Sequence, residues 1–85
     1  MSDPTPVLYV VLHCDRHYDP NVFVHTNPDA AIAHAQDLAN DYASRPETIT
    51  EELTGPMRDI GWIYHCTYST EDADWIAVVE REVIA

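Results

Sequence analysis

The chain has 85 residues, with fifteen Asp and Glu against four Arg and no Lys, and carries a formal charge of −11 at pH 7 with a pI near 4.4. That balance excludes direct nucleic-acid binding, because four scattered arginines cannot form the basic stripe that releases phosphate counterions. The same sign excludes docking on an anionic membrane surface. At 46% hydrophobic and 22% charged residues the composition is that of a folded domain, not an acidic disordered tail.

A chain of this length makes one domain and hides roughly 60–65% of the surface that its unfolded form exposes, so its core is thin and a partner copy would help it. Met1 to Pro6 contains two Pro and reads as a short extended arm, with the single domain running from residue 7 to 85. The arm lacks the basic start and long apolar stretch of an export signal, and the longest apolar run, Val7 to Leu12, is far too short to span a bilayer. A cytoplasmic location is therefore expected. In that compartment Cys14 and Cys66 stay reduced and serve as small hydrophobes, unless they meet across strands.

Val7 to Cys14 is a β-branched and aromatic run, too short for a helix and apolar on both sides, as in a central strand. The turn-forming segment Asp15 to Asn21 links it to a second strand, Val22 to Thr26, as a hairpin. Asn27, Pro28 and Asp29 are a helix start: a capping side chain, a residue with no N–H to leave unpaired, and a carboxylate at the positive end of the helix dipole. Ile32, Ala35, Leu38 or Ala39, and Tyr42 then form an apolar stripe, with His34, Asp37 and Asp41 turned to water. The helix has to stop before Pro46. Thr48 and Glu51 have the spacing of a capping box, which predicts one helical turn within residues 47–54, broken by Gly55-Pro56. A third strand is expected from Ile60 or Gly61 to Ser69, a turn at Glu71 to Ala73, and a last strand from Trp75 to Ile84. The fold class is α+β: β-β-α-β-β, a four-stranded, largely antiparallel sheet with one main helix on one face.

One helix covers one face of such a sheet, yet both faces carry apolar rows. Strict alternation places Trp62, Tyr64, Cys66 and Tyr68 on one face of the third strand and Ile63, His65 and Thr67 on the other. The surplus apolar face points to a homodimer packing sheet on sheet or to a surface for another protein; the competing expectation is that loop 46–58 folds over it.

The leading functional reading is thus a small acidic, non-enzymatic protein-interaction or regulatory accessory module, homodimeric, with Tyr9, Trp62, Tyr64 and Trp75 of the strands and Arg16, His17 and Tyr18 of the first loop as its contact residues. The aromatic residues and Arg are types enriched where proteins touch. The runner-up is a metal- or ligand-binding protein that gathers His13, His25 and His65 on zinc, three imidazoles being an acceptable zinc set. Neither a Cys-x-x-Cys nor a His-x-x-x-His spacing accompanies them. A third reading treats Glu47, Glu51, Glu52, Glu71, Asp72, Asp74, Glu80 and Glu82 as an imitation of nucleic-acid phosphates that occupies a basic protein. No cofactor is expected beyond that zinc, and an enzyme is not favoured. Glycine occurs only at positions 55 and 61, so there is no phosphate cradle. No nucleophile, base and orienting group stand together as a recognisable set.

Overall fold

The computed structural model describes residues 6–15, 20–43, 45–68 and 74–83. Strand β1 (Val7–Cys14) is followed by β2 (Asn21–His25), helix α1 (Pro28–Tyr42), a 3-10 turn (Pro46–Thr48), β3 (Thr50–Glu51), α2 (Gly55–Asp59), β4 (Trp62–Thr67) and β5 (Trp75–Glu82). The strands form one antiparallel sheet in the order β2-β1-β5-β4-β3. The α+β architecture is as expected, with a fifth strand in place of four. No helix among the described residues is long and apolar enough to cross a membrane.

The run from Val7 to Cys14 sits second from one edge and pairs on both sides, with β2 and, over eight residues, with β5. Its apolar character on both faces reflects that central place. Helix α1 begins where its sequence dictates: the Asn27 side chain accepts from the Ala30 N–H at 3.0 Å and Pro28 opens the first turn. The line of contact with the sheet runs through Ala31, Ala35 and Ala39, all buried, while Ile32 and Leu38 flank it. Small residues spaced four apart let the helix lie close to the strands, and larger neighbours fill the wedge at each side. The stripe expected through Ile32 and Tyr42 is therefore rotated toward the alanines, and Tyr42 stays exposed.

Beneath the helix lie Tyr9, Val11 and His13 of β1, Phe23 of β2, Ile76 and Val78 of β5, and Tyr64 and Cys66 of β4, with Tyr68 just beyond it. This is the core.

Residues 47–54 do not form the expected helical turn. Thr48 Oγ1 donates to the carbonyl oxygens of Arg45 at 2.7 Å and Tyr68 at 3.1 Å, instead of capping a helix, and Thr50 and Glu51 pair with Thr67 and Cys66. A free edge of β4 offers ladder hydrogen bonds that a single isolated turn lacks. Gly55-Pro56, expected to break structure, starts α2 instead. Thr54 accepts from the Met57 N–H at 3.3 Å and Pro56 sits in the first turn, where a missing N–H costs nothing.

A register shift lies between Trp62 and Tyr64: Trp62 pairs with Val79 and Tyr64 with the adjacent Val78, so Ile63 is the extra residue of a bulge. Gly61 precedes it with φ +90°, and its carbonyl accepts from Glu80 N at 2.7 Å. A Cβ there would lie 2.6 Å from Arg81 Nη1 and 3.1 Å from the Glu80 carbonyl oxygen. Only glycine fits both constraints.

The alanine line gives a direct test. Ala35→Leu should lower stability by about 1–3 kcal/mol through overpacking, read as a lower urea midpoint, whereas Ala33→Leu on the exposed side of the same helix should leave the midpoint nearly unchanged.

Candidate functional site

The bulge moves Trp62 off the helix-covered face. Alternation alone put it beside Tyr64 and Cys66; the extra residue turns it to the opposite face, with Trp75 and His65. The two indole rings stack with centroids 5.6 Å apart at 21°, and the His65 ring lies 5.7 Å from Trp62 and 6.2 Å from Trp75. His65 Nδ1–H donates to the Glu52 carbonyl at 3.0 Å, which fixes the imidazole against this pair.

The strand registers arrange this open face in rows. One row runs Val24, Val10, Val79, Trp62 across β2, β1, β5 and β4; the next runs Val22, Leu12, Ala77, His65; a third holds Cys14, Trp75 and Thr67. Ala77 and Val79 are buried under their neighbours, whereas Val22 and Val24 remain 61% and 57% exposed. Leu8, Val10, Leu12, Trp62 and Trp75 keep part of their surface. Loop 46–58 does not cover the valines: Ile49 joins the core under the helix, β3 extends the far edge, and α2 packs on β4, three strands away from β2. The rows contain no carboxylate. Arg81, beyond them on β5, has its guanidinium tied to the carbonyls of Ile60 and Glu80.

The helix-covered face holds polar groups of a different kind. Tyr68 O–H donates to Asp15 Oδ2 at 2.5 Å, and His13 Nε2 lies 2.8 Å from the same phenol oxygen. A phenol has one proton, and here the carboxylate takes it, so His13 must donate from Nε2. His13, Asp15, Tyr68 and Asp74 are all buried, and the Tyr42 ring meets His13 edge-on at 4.5 Å. Burial lowers the His13 pKa, against the raising effect of the Asp15 and Asp74 carboxylates. Burial and the bond to Asp15 push the Tyr68 phenol far above its ordinary value. These bonds join β1 to the β4–β5 end as a buried clamp.

A second polar group lines a shallow cleft of about 290 Å³ between α1 and β3, bordered by Gln36, Asp37, Asn40, Ile49, Glu51 and Tyr64. Tyr64 O–H donates to Glu51 Oε2 at 2.6 Å, and Gln36 donates to the same oxygen at 3.2 Å. Those bonds hold the Glu51 pKa below the usual carboxylate range, and burial together with Glu51 raises that of Tyr64 far above 10. Glu51 Oε2 thus accepts from both Tyr64 and Gln36 across the cleft.

Of the contact residues expected from sequence, Trp62 and Trp75 meet on the open face, while Tyr9 and Tyr64 lie under the helix. Arg16, His17 and Tyr18 fall outside the described residues. The proposed zinc trio is not brought together. His13 and His25 share the helix side but stand four ladder positions apart, roughly 13 Å, and His65 is on the opposite face. His25 instead meets His34 of the helix, Nε2 to Nδ1 at 2.8 Å, with Phe23 packed on the His34 ring at 4.6 Å. His34 is thus half-buried, not solvent-facing. No group of three or more His, Cys, Asp or Glu suited to a metal ion occurs among the described residues. Cys14 and Cys66 are free thiols on opposite faces of the sheet. Of the acidic residues read as phosphate mimics, Asp74 is buried, and Glu71 and Asp72 fall outside the described residues.

Fold and site together define a five-stranded antiparallel sheet with its main helix on one face and, among the described residues, exposed valines on the other. No family model matches the chain, and neither curated proteins nor solved structures yield a match.

The buried imidazole carries a pH signature. Unfolded histidine titrates near 6.5 and His13 in the fold below that, so between the two values the unfolded chain binds more protons and stability falls as pH falls. The urea midpoint should therefore drop from pH 7.0 to 5.5, and His13→Gln, which keeps a donor for Tyr68, should show a shallower slope over the same window. Tyr68→Phe should cost about 1–3 kcal/mol at pH 7 by leaving His13 and Asp15 without their shared partner.

Proposed function

We propose that this chain is a small, non-enzymatic protein-interaction module that works as a homodimer, with the open sheet face as its docking surface. The observation that carries the reading is the continuity of apolar side chains from the exposed Val22 and Val24, through Val10, Leu12 and Val79, to the Trp62–Trp75 stack. Large contiguous apolar patches on a soluble domain mark contact sites. Stacked tryptophans at the rim of small aliphatics are the side chains that dominate contact energies.

The acidic residues support the same reading by where they stand. Asp29, Asp37 and Asp41 lie on the helix, Glu51 on the far edge strand, and Glu80 and Glu82 on the helix side of β5. They stand on the helix side of the sheet and leave the rows of the open face free of charge. Charge of one sign on that outer side keeps assembled copies from associating further. An accessory or regulatory role fits a domain that offers a contact surface and, among the described residues, no metal-binding cluster.

Sedimentation at micromolar concentration tests the reading. The chain should run as a dimer, and Val24→Asp should run as a monomer with an unchanged far-ultraviolet circular dichroism spectrum, because Val24 is surface in the single chain. An unpaired carboxylate in the contact costs at least about 2 kcal/mol, or about 30-fold in the association constant. A wild-type chain that stays monomeric at these concentrations refutes the proposal.

A further inference from the structure

We infer that two copies meet with their twofold axis parallel to the strands, between β1 and β5, so that the Trp62–Trp75–His65 ridge of each copy seats on the Val22–Val24 side of the other. This rests on the proposal that the open face is a self-association surface and adds the arrangement of the pair.

The relief of the face selects the arrangement. Along the row Val24, Val10, Val79, Trp62 the residues are small aliphatics on β2, β1 and β5 and an indole on β4; along Val22, Leu12, Ala77, His65 the only ring is again on β4. Trp75 of β5 stacks against Trp62 and thickens the same side. A face that is high at one edge and low at the other fills space against a copy of itself only when high meets low. Rotation about an axis along the strands exchanges β2 with β4 and β1 with β5 and reverses each row, so that Trp62 faces Val24 and Val10 faces Val79. Rotation about an axis across the strands sets β4 on β4, stacks indole on indole and leaves a gap over the valines. Packed apolar interfaces reach the density of protein interiors, and such a gap forfeits the contacts that hold them.

Size and charge point to a second copy as the occupant. Four strands about 4.8 Å apart and seven residues at about 3.3 Å make a face roughly 20 Å square, on the order of 400 Å² in projection and more with its relief. A lasting protein contact needs about 500–800 Å² from each side, so the whole face has to be used. A second copy has the same outline and supplies that cover, where a short peptide segment does not. The absence of carboxylates from the described rows lets two chains of charge −11 approach at this face. Sheets packed in this manner sit about 10 Å apart with strands within about 30° of alignment.

Mixed-label NMR tests the arrangement. A nitroxide is attached at Thr26→Cys, an exposed position just past β2, in a Cys14→Ser background, on a chain at natural isotope abundance. This is mixed with the nitrogen-15-labelled wild-type chain, so that only contacts between copies broaden signals. The expected result is loss of most intensity at Gly61 and Trp62, including the Trp62 indole N–H, with Asn21 and Val22 retained. Loss at Asn21 and Val22 with Gly61 and Trp62 retained means an axis across the strands and overturns the inference, leaving the dimer itself intact. Broadening confined to residues of the helix side overturns both the inference and the assignment of the open face. A monomer by sedimentation of the same mixture overturns the inference together with the proposal on which it rests.

Discussion

The eight-residue antiparallel pairing of β1 with β5 is the constraint on which everything else in this fold depends. It joins the first strand to the last, from Val7 with Glu82 to Cys14 with Trp75. Every row on both faces takes its register from this ladder, and β2 and β4 are its outer neighbours. A slip of one residue would exchange Val11, Ile76 and Val78 with Val10, Ala77 and Val79, and so send the core residues to the open side. Both sets are apolar, so hydrophobicity alone would resist such a slip weakly. The polar groups resist it more firmly: His13 reaches Tyr68, and Tyr68 reaches Asp15, from one face only. The buried clamp at the end of the ladder thus fixes the register that both faces need.

The division of labour between those faces follows from helix content. Fifteen residues of α1 cover one side, and alanine at the contact line trades side-chain volume for close approach. Tyr64 and Tyr68 belong on that side because each finds an acceptor there, Tyr64 on Glu51 and Tyr68 on Asp15. The tryptophans stack against each other on the other side, at the margin of an aliphatic sheet. The phenols of Tyr64 and Tyr68 thus have their bonding partners on the helix side, while the two indoles lie on the other.

Much of the fold was legible in the sequence because its signals are local. The β-branched run Val7 to Cys14, the Asn27-Pro28-Asp29 helix start and the surplus of apolar rows over helix cover all stand in the chain as short patterns, and strand β1 has the expected bounds. What stayed hidden depends on distant partners. The short edge strand at Thr50–Glu51 exists because β4 has a free side, and the capping-box spacing at Thr48 carries no information about that. The position of Trp62 hinges on one bulge residue, and Gly61 just before Trp62-Ile63 was its only local sign. The histidines were the least legible. The described ones occupy three separate environments set by tertiary packing, His13 in the clamp, His25 against His34, and His65 beside the indoles.

The placement of β5 also governs the order in which the fold can close. Central strand β1 has one long-range neighbour, and that neighbour is the last strand of the domain, more than sixty residues away along the chain. Until β5 arrives, a β1–β2 hairpin with α1 leaves one whole edge of β1 unpaired and apolar rows bare on both sides, a template for wrong pairing with other chains. Such distant pairing forms slowly, since the loop must be closed before its contacts repay the entropy. The excess of carboxylates then acts on the folding chain as well as on the folded one. Mutual repulsion at −11 holds unfinished copies apart during the interval in which the central strand waits for its partner.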